Sequence, residues 1–574
     1  MFRNIINFKF NISKSKFHFF FISIHVVLSF ISSFFFFKPI FDDTGFETIA
    51  YNGSDIIPTL QYDSFIKSVC MIYSYFFAII LIIFFWTIIF KAKDLYGKYF
   101  KLYLILLIFG LLILLLIYPY FLTSDSTCDF TYNYVYAKEF MPMHWHGFFT
   151  NVFLCACMIF YPHPACLSCI PFFMLFSLIF FFILDFTKDI KKIPFVILFI
   201  LFLPEIIPSM STPGRNSSYA IVSALYFFIL LYDFNNNNNK LTSFKFLILT
   251  VLICILSTWR TEGIIFIFFT PFLLSFVYNR NKHFAFKKCI LIRATIFIII
   301  LLILKLPHEY GIKKYYEKDY FIINTPMPLS AVFLSDSKNF LYSGFDNDLK
   351  NINSAYPTEY LTEYGGNASI RNNIENKRIS RQCGIGFNSN KYIFSAYNIL
   401  LHNPIIFFKK QLNNYLISNG FYQKFYFKSP KFTSITDGIS EDALEFYNKV
   451  NEYYYIGKND ININYPLFTK YTIGKKINHF LTFIYKIWHY LGKHFMKYNK
   501  VLVTISMVLC VLICLLKKEF VLFFIGSNIL AIFLAVFLFA PDPHYEYYYS
   551  TYICQYLFLS YFIKTILKKG MKTI

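Results

Sequence analysis

Apolar residues run in long blocks separated by short polar connectors over most of the chain. A helix needs about 17–25 apolar residues to cross roughly 30 Å of hydrocarbon. Blocks near that length predict helices at 18–38, 66–90, 101–121, 166–186, 194–209, 217–233, 243–259, 263–279, 290–306, 499–516, 519–540 and 547–566. The expected fold is an all-α polytopic membrane protein with about 12 transmembrane helices. A hydrophilic block interrupts the series and divides the chain into an N-terminal membrane region (1–306), an external region (307–498) and a C-terminal membrane region (499–574). Within the block, 335–390 is rich in Asn, Ser, Gly and Tyr and reads as irregular, whereas Tyr392 to Leu416 reads as helical around Asn403 and Pro404.

Composition agrees with this class. Of 574 residues, 57% are apolar and 15% charged, and mean hydropathy is +0.50; a soluble domain of that make-up would expose too much apolar surface to stay dispersed. The tract Asn235–Asn239 and the abundance of Phe and Tyr follow from AT-rich codons and carry no functional signal. The first apolar run exceeds a signal peptide's core and lacks a small-residue cleavage site, so it reads as a retained anchor.

Charge sets the expected orientation, because Lys and Arg favour short cytoplasmic loops. Arg3, Lys9, Lys14 and Lys16 precede the first run, whereas Asp42, Asp43, Glu47, Asp55 and Asp63 follow it. The N-terminus is therefore expected in the cytoplasm. Lys91, Lys93, Lys98 and Lys101, then Lys188, Lys240, Lys245, Lys517, Lys518 and Lys564, fall on the same side. This alternation requires residues 147–185 to cross once, so 147–161 is expected to lie along the interface or re-enter the membrane. Residues 478–497 carry apolar positions at helical spacing with interspersed Lys, and read as an amphipathic helix on the outer surface. The net charge of +22 is thus mainly an orientation signal. No nucleic-acid motif or compact basic domain accompanies it, which excludes nucleic acid as the expected partner.

Most of the twelve Cys sit in apolar runs. Cys155, Cys157, Cys166 and Cys169 near His163 imitate metal-ligand spacing, but small thiols packed among apolar side chains account for them better than a zinc site does. Cys128 and Cys383 both fall outside and are a candidate disulfide.

The candidate chemistry gathers on the expected outer face. Asp125 and Asp129 follow Tyr118-Pro119 just beyond a long apolar run. A carboxylate at the membrane edge is partly desolvated and more basic, which suits a general base acting on an alcohol. Arg260 and Glu262 flank Thr261 in a short turn between two apolar runs, where a charge is costly without a partner and Arg has the donor fork for a lipid phosphate. A local salt bridge closing the turn is the competing reading. Glu205, between Pro204 and Pro208, and Arg215 in the next connector border the same side. His544 and Tyr545 precede the last run, where aromatic anchoring competes with substrate contact.

These features together resemble the GT-C superfamily of integral membrane glycosyltransferases, in its poorly characterised bacterial variety. The likeness rests on Tyr118-Pro119 to Asp125, the Arg260-Thr-Glu-Gly263 turn, Asn403-Pro404 before the closing runs, and the final Tyr-rich motif. The resemblance implies a sugar moved from a polyprenyl phosphate sugar donor to a glycan, lipid or protein acceptor at the outer face of a bacterial plasma membrane. It matches Asp125 to the acidic residue of the first catalytic external loop, which acts as base or metal contact, and Arg260 to the donor phosphate. It also implies a divalent cation, Mg2+ or Mn2+, as the one cofactor. The chain departs from the pattern in placing the acidic loop after the third run, and in having Glu546 where Arg precedes the final Tyr. A polysaccharide polymerase or ligase and a polytopic transporter stay open as alternatives.

Overall fold

A backbone inside hydrocarbon finds no water to bond, so an unbroken apolar run folds as a helix that satisfies its own amides. A computed structural model of the chain describes residues 12–37, 64–117, 140, 148–162, 166–189, 215–236, 241, 243–278, 294, 298, 299, 302, 325–354, 358–364, 389–418, 501–540 and 545–570. Among the described residues every regular element is helical and no strand occurs.

The N-terminal half holds α1 (Ile12–Phe36), α2 (Ser64–Tyr96), α3 (Phe100–Ile117), α4 (Phe148–Phe160), α5 (Cys166–Asp189), α6 (Arg215–Asn235), α7 (Ser243–Trp259) and α8 (Ile264–Tyr278). Short helices follow: α9 (Pro326–Phe333), α10 (Phe345–Asn353), α11 (Thr358–Tyr364), α12 (Ser389–His402) and α13 (Pro404–Ser418). The chain closes with α14 (Val501–Leu516), α15 (Phe520–Phe539) and α16 (Tyr549–Gly570). Five of these, α1, α2, α5, α6 and α15, are long and apolar enough to cross a membrane, while α4, α7, α8 and α14 are apolar but shorter. The run at 194–209, most of 290–306, and the segment 478–497 lie outside the described residues.

Side-chain pairs fix the helix directions. Along α1 and α2, His18 stacks on Phe90 at 4.1 Å and Phe30 meets Tyr75 at 4.7 Å, so the two run antiparallel. Against α2, α4 runs parallel, with Tyr73 on Phe148 at 5.6 Å and Phe85 on Phe160 at 5.4 Å. So does α5, with Phe85 on Phe173 at 4.8 Å and Tyr96 on Phe180 at 5.1 Å. Consecutive α4 and α5 therefore point the same way, and the pair advances through the bundle once. Helix α4 lies inside the bundle, buried from Phe148 to Ile159 except at half-buried Phe153, rather than flat along its surface. Residues 147–161 are expected along the interface or re-entering the membrane; α4 instead packs inside the bundle and leads into α5 in the same direction.

The centre of the bundle is α6, whose residues from Ser218 to Phe234 are almost all buried. It lies parallel to α16: Tyr219 near its start and Tyr547 just before α16 both reach Arg260, and further along Phe228 meets Tyr561 at 6.2 Å. Helices α14, α15 and α16 approach closely at Gly526, where a Cβ would come within 2.5 Å of Val511 and 2.9 Å of Phe558. Small residues permit such approach between apolar helices.

A second, smaller core joins Leu329, Val332, Ile352, Leu361, Tyr392 and Ile399 of helices α9–α12. Two short helices, α10 and α11, thus lie within the stretch expected to be irregular, because Phe345, Leu349 and Ile352 give one face enough apolar surface to dock. Asn403 ties this unit together, accepting from the Asn339 amide at 2.6 Å and donating to the Asn339 and Ile399 carbonyls. Asp348 accepts from Tyr342 and Asn398, and burial together with that carboxylate pushes the Tyr342 phenol above its ordinary pKa.

Candidate functional site

Helix α7 ends at Trp259, and a single 3-10 turn, Thr261–Gly263, reverses the chain into α8. The turn folds back tightly on the last turn of α7: a Cβ on Gly263 would lie 2.0 Å from the Leu256 carbonyl oxygen. Only glycine fits there. Gly263→Ala is expected to destabilise the fold by about 1–3 kcal/mol, the range for overpacking a filled site, and thermal unfolding in detergent measures it. An unchanged melting temperature would contradict the close approach.

This reversal holds Arg260 in place. Its Nε lies 2.5 Å from Glu262 Oε1, and it donates through a terminal nitrogen to the side-chain oxygen of Asn216 on the first turn of α6. Two aromatic rings wall the guanidinium: Tyr219 at 5.5 Å and Tyr547 at 5.8 Å. Arg260 and Glu262 are each only 8% exposed. A buried cation needs such a carboxylate and such ring faces to offset its lost hydration. Beside it the Trp259 indole N–H is buried with no hydrogen-bond partner among the described residues. A hydrogen-bond acceptor is the chemistry that this donor fits, because a buried donor left without an acceptor costs about 1–3 kcal/mol.

The expected site residues divide into two groups. Arg260 and Glu262 meet as an ion pair, so the local salt bridge is present. Arg215 is the first residue of α6, next to the Asn216 that Arg260 binds. Tyr545 opens the 3-10 turn Tyr545–Tyr548 that carries Tyr547 to the guanidinium. Three expected connectors thus reach one place. Asp125, Asp129, Glu205 and His544 lie outside the described residues, as do Cys128, Cys383 and His163. Among the described residues no three of His, Cys, Asp and Glu converge as a metal site, and Cys155, Cys157 and Cys166 are buried and not in disulfides.

Sequence reasoning missed Asn216 and Tyr219. Their signal was faint: both directly follow the Arg215 connector, on the face that meets the α7–α8 turn.

It also missed a second polar cluster at the opposite end of the bundle. Lys564 Nζ lies 2.8 Å from Asp185 Oδ2 and donates to the Asp185 carbonyl at 2.9 Å, and the Tyr561 hydroxyl donates to the same carboxylate at 3.2 Å. In a matching arrangement Lys245 lies 2.6 Å from Asp233 Oδ2, to which Tyr278 also donates. Lys564 is 0% exposed. Lys245 and Lys564, counted among the charges of the expected cytoplasmic side, are thus buried within helices α7 and α16, each neutralised by an aspartate on a neighbouring helix. About 21 Å of α6 separates Tyr219 from Asp233, so the two polar clusters mark opposite ends of the bundle.

No protein-family model, curated protein or solved structure matches this chain.

Proposed function

We propose that the chain is an integral membrane glycosyltransferase of GT-C type, which takes a sugar from a polyprenyl phosphate sugar and passes it to a glycan, lipid or protein hydroxyl. The observation that supports this most is the buried Arg260, held by Glu262 and Asn216 and walled by Tyr219 and Tyr547 at one end of an apolar bundle. Such a place suits a phosphate carried on a lipid, because the lipid's tail remains in hydrocarbon while its charge meets a fork of donors. In this reading the membrane is a bacterial plasma membrane, and about 12 helices span it with the N-terminus in the cytoplasm. The Arg260 end then faces outward, and the external region at 307–498 sits above it.

The reaction is a displacement at the anomeric carbon. The acceptor oxygen forms the new glycosidic bond as the carbon–oxygen bond to the phosphate breaks, and the electron pair leaves on the lipid phosphate. Asp125 takes the acceptor's proton, with Asp129 beside it. Arg260, assisted by Arg215, stabilises the charge on the departing phosphate. Glu205, Glu262, His544 and Tyr545 complete the substrate surround. A divalent cation, if the enzyme uses one, would bind the two aspartates.

Purified protein given a radiolabelled polyprenyl phosphate sugar with and without acceptor tests this. Transfer is expected from the natural chain and none from Asp125→Asn, which inserts normally. Full activity of Asp125→Asn would remove the base, and movement of label across liposomes without transfer would favour a transporter. The paired charges give transport no added weight, because they lie at one end of the bundle rather than at midplane, where transporters bind substrate. A polymerase or ligase is the second reading, and the same outward Arg260 supports it.

A further inference from the structure

Helix α13 is inside out for a segment of a water-facing domain. Gln411, Asn414, Tyr415 and Ser418 are buried on the side toward the bundle. Ile405, Phe408 and Leu412, at positions i, i+3 and i+7, are 69%, 52% and 38% exposed. Lys409 and Asn413 are exposed too, and the 100° turn per residue sets them round from the apolar stripe, away from the buried face. A helix with one apolar, one polar and one packed face suits a boundary between hydrocarbon, water and protein.

Its depth follows from its neighbour. Phe408 meets Phe537 at 5.5 Å, Gln411 Nε2 donates to the Leu538 carbonyl at 2.9 Å, and Tyr415 meets Phe533 at 5.3 Å. The helix therefore descends alongside the last two turns of α15, and Tyr415 sits about 9 Å below the α15 end at Phe539. Because α15 is 20 residues long and apolar throughout, it matches the hydrocarbon thickness, and its neighbour is at hydrocarbon depth. Leu534 and Phe539 of α15, next to these contacts, are themselves exposed, so the α13 stripe continues the surface that the spanning helix presents to lipid.

We propose that α13 is immersed in the leaflet at the Arg260 end, with Ile405, Phe408 and Leu412 against lipid acyl chains and Lys409 and Asn413 at the headgroup level. Its packed face, with Gln411, Asn414 and Tyr415, then closes the side of the bundle near the Arg260 site. Tyr415 meets Tyr548 at 5.2 Å, and Tyr547, the next residue back, stacks on Arg260. Tyr415 also donates to Thr504, which donates to Gln555 of α16. The helix is thus a wall with lipid on one side and the polar interior on the other. This placement does not depend on the transfer reaction.

The test uses the full-length protein in phosphatidylcholine liposomes. Ile405→Cys, Phe408→Cys and Leu412→Cys each carry a nitroxide, and Lys409→Cys and Asn413→Cys serve as comparators, with the signal of the labelled parent subtracted. Collisions with oxygen, which concentrates in hydrocarbon, are compared with collisions with a water-soluble nickel complex. Oxygen is expected to dominate at the three apolar positions, with the ratio shifting toward nickel at 409 and 413. Nickel dominating at all three would place the stripe in water and overturn the proposal. Neither reagent reaching them would mean a protein surface covers the stripe, which overturns it equally. Three independent positions keep the result decisive if one variant misfolds.

Discussion

Arg260→Ala is expected to weaken binding of a polyprenyl phosphate about 100-fold, since charge-assisted hydrogen bonds contribute about 1.5–3 kcal/mol and each 1.4 kcal/mol is a factor of ten. The loss should exceed that from any single neighbour, because the guanidinium is the one group in contact with Glu262, Asn216, Tyr219 and Tyr547 together. The same substitution strands Glu262, which is buried, and breaking a buried pair costs about 3–5 kcal/mol of stability. The double variant Arg260→Ala/Glu262→Gln separates the two effects: it should recover most of the stability and none of the binding. Arg260→Lys keeps the charge but loses the planar fork and its stacking between two rings, and should fall between. Fluorescent lipid-phosphate titration with thermal unfolding of each variant gives both readings. Natural affinity in the stable double variant would remove Arg260 from the site.

Lys564→Met is expected to be the most destabilising single change at the opposite end, by about 3–5 kcal/mol. The ammonium is fully buried and donates to both the carboxylate and the carbonyl of Asp185, so its removal leaves a nearly enclosed carboxylate with only Tyr561 to donate to it among the contacts above. Replacing both partners, Asp185→Leu with Lys564→Met, should recover most of the loss, because an apolar pair carries no desolvation cost. Denaturant unfolding in detergent measures the set. If the single variant is as stable as the parent, the pair is solvated and α16 is not held to α5 as described.

Much of the helical framework was legible because length and polarity are one-dimensional signals. The runs beginning near 66, 166, 217, 243, 263 and 519 all fold as helices. Parity of charge singled out 147–161 as unusual but not its form, since it predicts an interfacial or re-entrant segment and α4 is a buried helix pointing the same way as α5. Pairing across the fold was not legible. Asp185 and Lys564 are 379 residues apart, and a lysine near the end of an apolar run looks the same whether it meets water or an aspartate on another helix. The same holds for Tyr547, which reads as an interfacial aromatic until the α7–α8 turn is seen to bring Arg260 beneath it. The inward polar face of α13 escaped notice because a helix with Gln, Asn, Tyr and Ser on one side and Ile, Phe and Leu on the other gives the same periodicity whichever side is buried.

A polyprenyl phosphate bearing a photoreactive diazirine beside its phosphate tests the central claim most directly. After irradiation in liposomes and peptide mapping, adducts are expected on the first turns of α6, on 259–263 and on 545–548, and an unlabelled polyprenyl phosphate should compete them away. Competed adducts confined to the Asp185, Asp233 and Lys564 end, or none at all, would contradict a lipid-phosphate site at Arg260.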